Sequence, residues 1–194
     1  MIAISGKVGS GKTTLAKILV DRLGFPWLRA SFADPLKREV MDLFGLHPDL
    51  LWSEEGKKRE FEIRPDKLQH LGIHTIYPEL LSVRRILQLR GQYCRSLDPN
   101  YWVDAFQKEH QHDDHIVVDD VRYENELALA HSRKAYCVRL LPYPGWVPGQ
   151  YATHESETSL DADASFQITF RPQYGGLDAV ADYILSEYNR RYGR

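Results

Sequence analysis

Eight residues near the start of the chain, Gly6-Lys7-Val8-Gly9-Ser10-Gly11-Lys12-Thr13, follow the spacing G-x-x-x-x-G-K-[ST] directly after an apolar run at residues 1–5. Few short patterns constrain a fold as strongly, because a strand must pass into a tight glycine turn and then at once into a helix. The glycines let the backbone curl until successive N–H groups point into one concavity, and the helix N-terminus adds partial positive charge there. Lys12 is long enough to reach the outer phosphates of a nucleotide, and Thr13 offers a hydroxyl to Mg²⁺. The helix that must follow is expected over 12–23, where Leu15, Ile18, Leu19 and Leu23 share one face.

The rest of the chain repeats this alternation of short apolar runs with helical patterns. Strands are expected at 27–32, 115–119, 135–141 and 166–170, which with residues 1–5 makes five. Asp34-Pro35 can start a helix running to Phe44 and stopping at Gly45, with Asp34 as its cap. Residues 47–78 are irregular and charged, with Pro48, Pro65 and Pro78, and read as short helices and mobile loops. Long helices are expected at 79–97 and 102–110. A final one follows from Leu177, Val180, Ala181, Ile184, Leu185 and Tyr188, which fall on one stripe. Strands alternating with helices imply a three-layer α/β fold, a five-stranded parallel sheet flanked by helices on both faces. Without repeats or linker-like tracts, 194 residues fit one domain, with a helical insert at about 45–110 and a Pro/Gly-rich loop at about 141–155 placed to act as a lid.

Charge and cysteine content narrow the classes further. Lys plus Arg number 25 against 27 Asp plus Glu, a net charge of -2, whereas a chain that wraps nucleic acid normally carries a basic excess. No run approaches the ~18 apolar residues of a membrane span and no basic, then apolar, leader opens the sequence, so the expected compartment is the cytosol. Cys94 and Cys137 are too few for a disulfide framework and are expected as thiols. The cluster His110-Gln-His-Asp-Asp-His115 reads as a polar turn before a strand rather than a metal centre. Oligomeric state is open, a homodimer included.

Two further features carry chemistry. Ile116-Val117-Val118-Asp119-Asp120 is an apolar strand ending in two acids, the arrangement that brings a carboxylate to the Mg²⁺ shell beside a phosphate loop; Asp119 is the expected metal ligand together with Thr13. Because neighbouring strand residues point to opposite faces, one acid of the pair should face the nucleotide. In the helix expected at 79–97, Arg84, Gln88, Gly91 and Arg95 share one face, offering cations, an amide and a gap at Gly91 to an anionic ligand. Val83, Ile86, Leu87, Cys94 and Leu97 form the opposite face, expected to bury against the sheet. The chain lacks the Asn-Lys-x-Asp signature of guanine-reading switches and is short for a motor domain, which leaves small kinases.

The segments Phe32-Ala-Asp-Pro-Leu-Lys37, Leu87-Gln-Leu-Arg-Gly-Gln-Tyr-Cys-Arg95, Asp98-Pro-Asn-Tyr-Trp102, Val118-Asp-Asp-Val-Arg-Tyr-Glu-Asn-Glu126 and His154-Glu-Ser-Glu157 follow the phosphate loop in this order. In them the chain resembles the deoxynucleoside monophosphate kinases of bacteriophages. The resemblance implies a P-loop kinase fold and transfer of the ATP γ-phosphoryl to a deoxynucleoside 5′-monophosphate, giving the diphosphate and ADP, in the host cytoplasm for a phage-encoded chain. It implies ATP and Mg²⁺ as cofactors, with ATP held by Gly6, Lys7, Val8, Gly9, Ser10, Gly11, Lys12, Thr13 and Thr14. By the same resemblance Asp34, Lys37, Gln88, Arg95 and Trp102, with Arg84 from the same helix face, surround the acceptor. Lys12, Asp120 and Arg122 serve catalysis, and Arg139 is a second arginine that could meet ATP. Where relatives often read Gly-Thr, this chain has Gly91-Gln92.

Other readings stay open. Animal-type phosphomevalonate kinases share the general layout and something like Ser156-Glu-Thr-Ser-Leu160, and phage kinases of similar build act on hydroxymethylated bases within DNA. A nucleotide-binding regulator without kinase activity is a third reading, against which stands the retention of Lys12, Thr13, Asp119, Asp120 and several arginines.

Overall fold

Five apolar runs become five strands, and their pairing order puts the phosphate-loop motif on the central one. The computed structural model describes residues 1–147, 155–163 and 165–193. The chain begins with β1 (Ile2–Gly6), α1 (Lys12–Leu23) and β2 (Leu28–Ala30). It continues through α2 (Ala33–Phe44), α3 (Pro48–Trp52), α4 (Glu54–Lys58), β3 (Glu60–Ile63), α5 (Pro65–Leu68), a 3₁₀ turn at Gln69–Leu71, β4 (Glu79–Ser82), α6 (Val83–Leu97) and α7 (Tyr101–Glu109). The last part holds β5 (Ile116–Val121), α8 (Glu124–Ser132), β6 (Tyr136–Leu140), α9 (Glu155–Thr158), β7 (Ile168–Phe170) and α10 (Leu177–Tyr192). Two compact units result, Met1–Phe32 with Gln111–Arg194, and Ala33–His110. The helical insert expected at about 45–110 falls in the second unit, which also takes in α2.

In the first unit the sheet is parallel throughout, in the order β2-β5-β1-β6-β7. The inner strands are apolar on both faces because both are covered, as a parallel sheet requires. On one face α1 supplies Leu15, Ala16 and Leu19 and α10 supplies Val180, Ala181 and Ile184, packed over Ile2, Ile4, Val117 and Val138. On the other, α8 buries Leu127 and Ala130 and packs against β6. This is the three-layer α/β arrangement that the sequence pattern implies, consistent with a P-loop kinase fold. The edge strands β2 and β7 are only three residues long, which limits the open backbone they present.

The second unit packs its helices around a core of its own that includes Leu36, Val40, Leu51, Leu68, Val83, Ile86 and Trp102. Three expectations are corrected here. The helix expected from residue 79 begins at Val83, because residues 79–82 pair antiparallel with β3, Glu60 opposite Ser82 and Ile63 opposite Glu79. Leu80 is exposed and Leu81 buried, the alternation of a strand, and Ser82 Oγ then caps α6 by accepting the Arg85 N–H at 3.2 Å. The apolar face of α6 buries in this unit's own core rather than against the parallel sheet, and Leu97 is left 69% exposed. Asp34 lies inside the first turn of α2, which starts one residue earlier than its expected cap. Gly45, at φ +66, ends that helix as expected.

Ile4 is fully buried in the seam between the sheet and the α1/α10 layer. Ile4→Ala should lower unfolding free energy by about 2–5 kcal/mol in urea denaturation; a loss under ~1 kcal/mol would contradict the described packing.

Candidate functional site

The loop that opens α1 is shaped by contacts only glycine permits. β1 ends at Gly6, which lies opposite Leu140 of β6, and its φ of +152 with a Cβ position 2.2 Å from the Leu140 carbonyl oxygen rules out any side chain. Gly11, at φ +92, turns the chain into α1 without a side-chain cap, so the first N–H groups of the helix stay available to a ligand. Lys12 is 7% exposed, and its Nζ donates to the carbonyl oxygens of Gly6 and Lys7, each at 2.7 Å. Ser10 Oγ is buried with no hydrogen-bond partner among the described residues. Thr13 and Thr14 are exposed at the start of α1. A buried ammonium held by carbonyls alone, an unsatisfied hydroxyl and open helix N–H groups fit a polyanion such as the phosphates of ATP.

The two acids of β5 sit where the sheet register slips. Ala3 pairs with Val118 but Ser5 with Val121, so one extra residue is accommodated in β5 across Asp119 and Asp120. Both carboxylates consequently bond to residues of β2 and the chain just after it, whereas simple alternation would turn one of them away. Asp119, 3% exposed, takes Arg29 Nη1 at 2.9 Å. Asp120 accepts Ser31 Oγ at 2.5 Å and the Phe32 N–H at 2.7 Å. Among the described residues no group of three His, Cys, Asp or Glu side chains could hold a metal ion alone. A Mg²⁺ held by Thr13 and Asp119 would therefore take its remaining ligands from phosphate oxygens and water, as this small, hard cation usually does.

Arg122 follows directly on β5. Its guanidinium meets Glu157 of α9, while its backbone N–H and that of Tyr123 both donate to the buried Glu126 carboxylate, at 2.7 and 3.1 Å. Burial by itself would lower the Arg122 pKa, but Glu157 and Asp120 more than reverse this and hold the guanidinium firmly charged. Burial pushes the Lys12 ammonium down to about 8, with Arg122 adding to the fall and Glu157, Asp120 and Asp119 opposing it. Arg139, 8% exposed, lies on β6 beside the end of β1. It reaches Asp161 at 2.9 Å and Ser5 Oγ at 3.4 Å, with its guanidinium over the Phe166 ring. Lys7 reaches Asp161 at 2.5 Å and the Glu157 carbonyl oxygen.

Glu157 was legible only as part of a motif, and its role emerges from folding. Besides Arg122 it meets the phosphate loop itself, accepting the Val8 N–H at 2.7 Å, although the two residues lie 149 positions apart. Of the loop expected to act as a lid, residues 148–154, with His154, lie outside the described residues. Trp146, just before them, donates its indole N–H to the Val8 carbonyl at 3.1 Å.

In the second unit, Asp34 pairs with Lys37 at 2.9 Å and accepts the Trp52 indole N–H at 3.3 Å. Arg84 is drawn to Glu54 at 2.5 Å. Gln88 and Arg95 are partly exposed along α6. The gap expected at Gly91 is filled from within the unit: a Cβ there would meet Arg95 Nη1 at 3.1 Å and Leu36 Cδ2 at 3.4 Å. Trp102 is 2% exposed and donates its indole N–H to the Gly91 carbonyl at 3.2 Å, so it braces α6 from inside the core.

The lowered Lys12 pKa has a testable sign. Lys12 is protonated below about pH 8, and bound phosphates favour that charged form. Affinity for ATP should therefore be flat below about pH 8 and weaken by up to tenfold per unit above it, followed by calorimetry between about pH 6.5 and 9.5. In Lys12→Arg, whose guanidinium stays charged throughout, the break should vanish. A break that persists in that variant would contradict the assignment.

Comparison with protein-family models finds no match. Comparison with individual proteins does: a mimivirus protein (Acanthamoeba polyphaga mimivirus) named "putative deoxynucleotide monophosphate kinase" is 30% identical over 176 residues, spanning 87% of this chain and 86% of the viral one. Similarity over nearly the full length of both chains, with a phosphate loop on the central strand of a parallel sheet, leads to one assignment: the chain belongs to the family of deoxynucleotide monophosphate kinase-like proteins.

Proposed function

We propose that the protein transfers the γ-phosphoryl of ATP to a deoxynucleoside 5′-monophosphate. The observation that carries this reading is the cluster at the C-terminal end of the parallel sheet, where Arg122, Asp119 and Asp120 lie close enough to Lys12 to act on its charge beside an N–H-lined loop. The family relationship supports the choice of a nucleotide as substrate.

Bound ATP would supply the phosphoryl group, and Mg²⁺ would offset the negative charge of its phosphates. The chain's part is positioning and charge neutralisation. The amides from Gly9 to Thr14, with the Ser10 hydroxyl, hold the phosphates, and Lys12 turns from its two carbonyl partners onto them. Thr13 and Asp119 would hold Mg²⁺, and Arg122 faces the charge that develops on the transferring group. Asp34, Lys37, Gln88 and Arg95 are the groups proposed to bind the acceptor, with Trp102 fixing the helix that carries two of them. An acceptor phosphate has its second pKa at ~6 and is already largely ionised near neutrality, so no strong base is needed.

That point separates a phosphate acceptor from a hydroxyl acceptor such as a hydroxymethylated base. A hydroxyl would need a base to take its proton. The two carboxylates best suited to that task, Asp120 and Asp34, each already accept two hydrogen bonds from this chain's own donors.

A coupled ADP-release assay over deoxynucleoside and ribonucleoside monophosphates, mevalonate phosphate and hydroxymethyluracil-containing DNA tests the reading, with turnover expected on one or more deoxynucleoside monophosphates. Activity confined to mevalonate phosphate or DNA would reject it. Lys12→Ala should abolish turnover. Arg122→Ala should lower kcat by on the order of 10³-fold while KM changes only a few-fold; an unchanged kcat would remove Arg122 from the mechanism.

A further inference from the structure

Glu157 is an anion set into an anion-binding loop. Its side chain is 3% exposed; one carboxylate oxygen accepts the Val8 N–H at 2.7 Å, and the other takes the Arg122 guanidinium. Its backbone carbonyl accepts from Lys7 Nζ, so the residue is fixed to the loop at two points. A carboxylate and a phosphoryl oxygen seek the same partners, backbone N–H groups and a guanidinium, and one donor set cannot serve both fully. The Arg122 guanidinium is 25% exposed and paired with Glu157, so a phosphoryl group can approach it and compete for the same donors.

We propose that Glu157 is a specificity-determining residue that stands in for the γ-phosphoryl group, holding Val8 and Arg122 with a diphosphate bound and giving them up to a triphosphate. The inference rests on the reading of ATP as phosphoryl donor. Its physical content is a competition. ADP leaves the Glu157 contacts in place, whereas ATP must displace a carboxylate whose negative charge would otherwise repel the γ-phosphoryl. The exchange keeps Arg122 neutralised before and after transfer, and it weakens ATP selectively, because only ATP carries the competing group.

The test is the affinity of wild type, Glu157→Gln and Glu157→Asp for ATP and for ADP, each with Mg²⁺, measured by calorimetry on protein whose thermal melt confirms folding. Glu157→Gln keeps the shape and removes the charge, and should tighten ATP about tenfold or more while ADP shifts less than about threefold. Glu157→Asp, too short to reach both partners, should shift in the same direction by a smaller factor. In the ligand-free protein, Glu157→Gln should also speed hydrogen exchange at the Val8 amide. Equal shifts for ATP and ADP, no shift, or weakened ATP binding would overturn the proposal while leaving the kinase reading intact. Wild-type protein that binds neither nucleotide would instead overturn the kinase reading itself.

Discussion

The charge balance around one buried ammonium organises this end of the first unit. Lys12 sits in the sheet's phosphate loop with two backbone carbonyls as its hydrogen-bond partners, and an ammonium so enclosed is costly unless anions lie near. Burial and then Arg122 lower the Lys12 pKa to about 8, and Glu157, Asp120 and Asp119 supply the negative potential that limits the fall. The net charge of -2 over the whole chain conceals this local alternation of strong charges, which suits the proposed phosphoryl transfer.

Backbone geometry makes the balance possible. β1 must pass directly beneath the Leu140 carbonyl before the loop can open, which only a glycine at position 6 allows. One extra residue in β5 then lets two successive aspartates bond to β2 and the chain just after it. Buried Glu126 holds the backbone at Arg122 and Tyr123 through two N–H groups, so the arginine leaves β5 in a fixed direction. Glu157 and Asp120 each favour the charged form of both Lys12 and Arg122, so neutralising either acid would lower the pKa of both cations.

Much of this was readable from the chain. Each inner strand opens on a continuous apolar run, Ile2–Ile4, Ile116–Val118 and Tyr136–Val138, as a parallel sheet covered on both faces requires, and the glycine spacing of residues 6–13 has a mechanical cause. The start of the helix expected at 79–97 is ambiguous in the sequence, since Leu80, Leu81 and Val83 suit a helix as well as a strand. Only the antiparallel partner at residues 60–63, invisible to local periodicity, decides the matter. The alternation rule failed at Asp119 and Asp120 for a similar reason, as a bulge is a property of the strand pair and not of one strand. Glu157 reads locally as one acid among several near a helix start. Its meaning depends on Val8 and on Arg122, the latter 35 residues away, and such distant pairings leave no signature in a single sequence.

Membership of a deoxynucleotide monophosphate kinase-like family and a loop suited to polyphosphate both support the proposed transfer between two phosphates. The fate of a labelled phosphoryl group examines that claim most directly. With ATP radiolabelled at the γ-phosphorus, Mg²⁺ and a deoxynucleoside monophosphate, the label should appear in the β-position of the matching deoxynucleoside diphosphate, in amounts equal to the ADP released. Label recovered only as inorganic phosphate, or not released from ATP with any deoxynucleoside monophosphate, would contradict it.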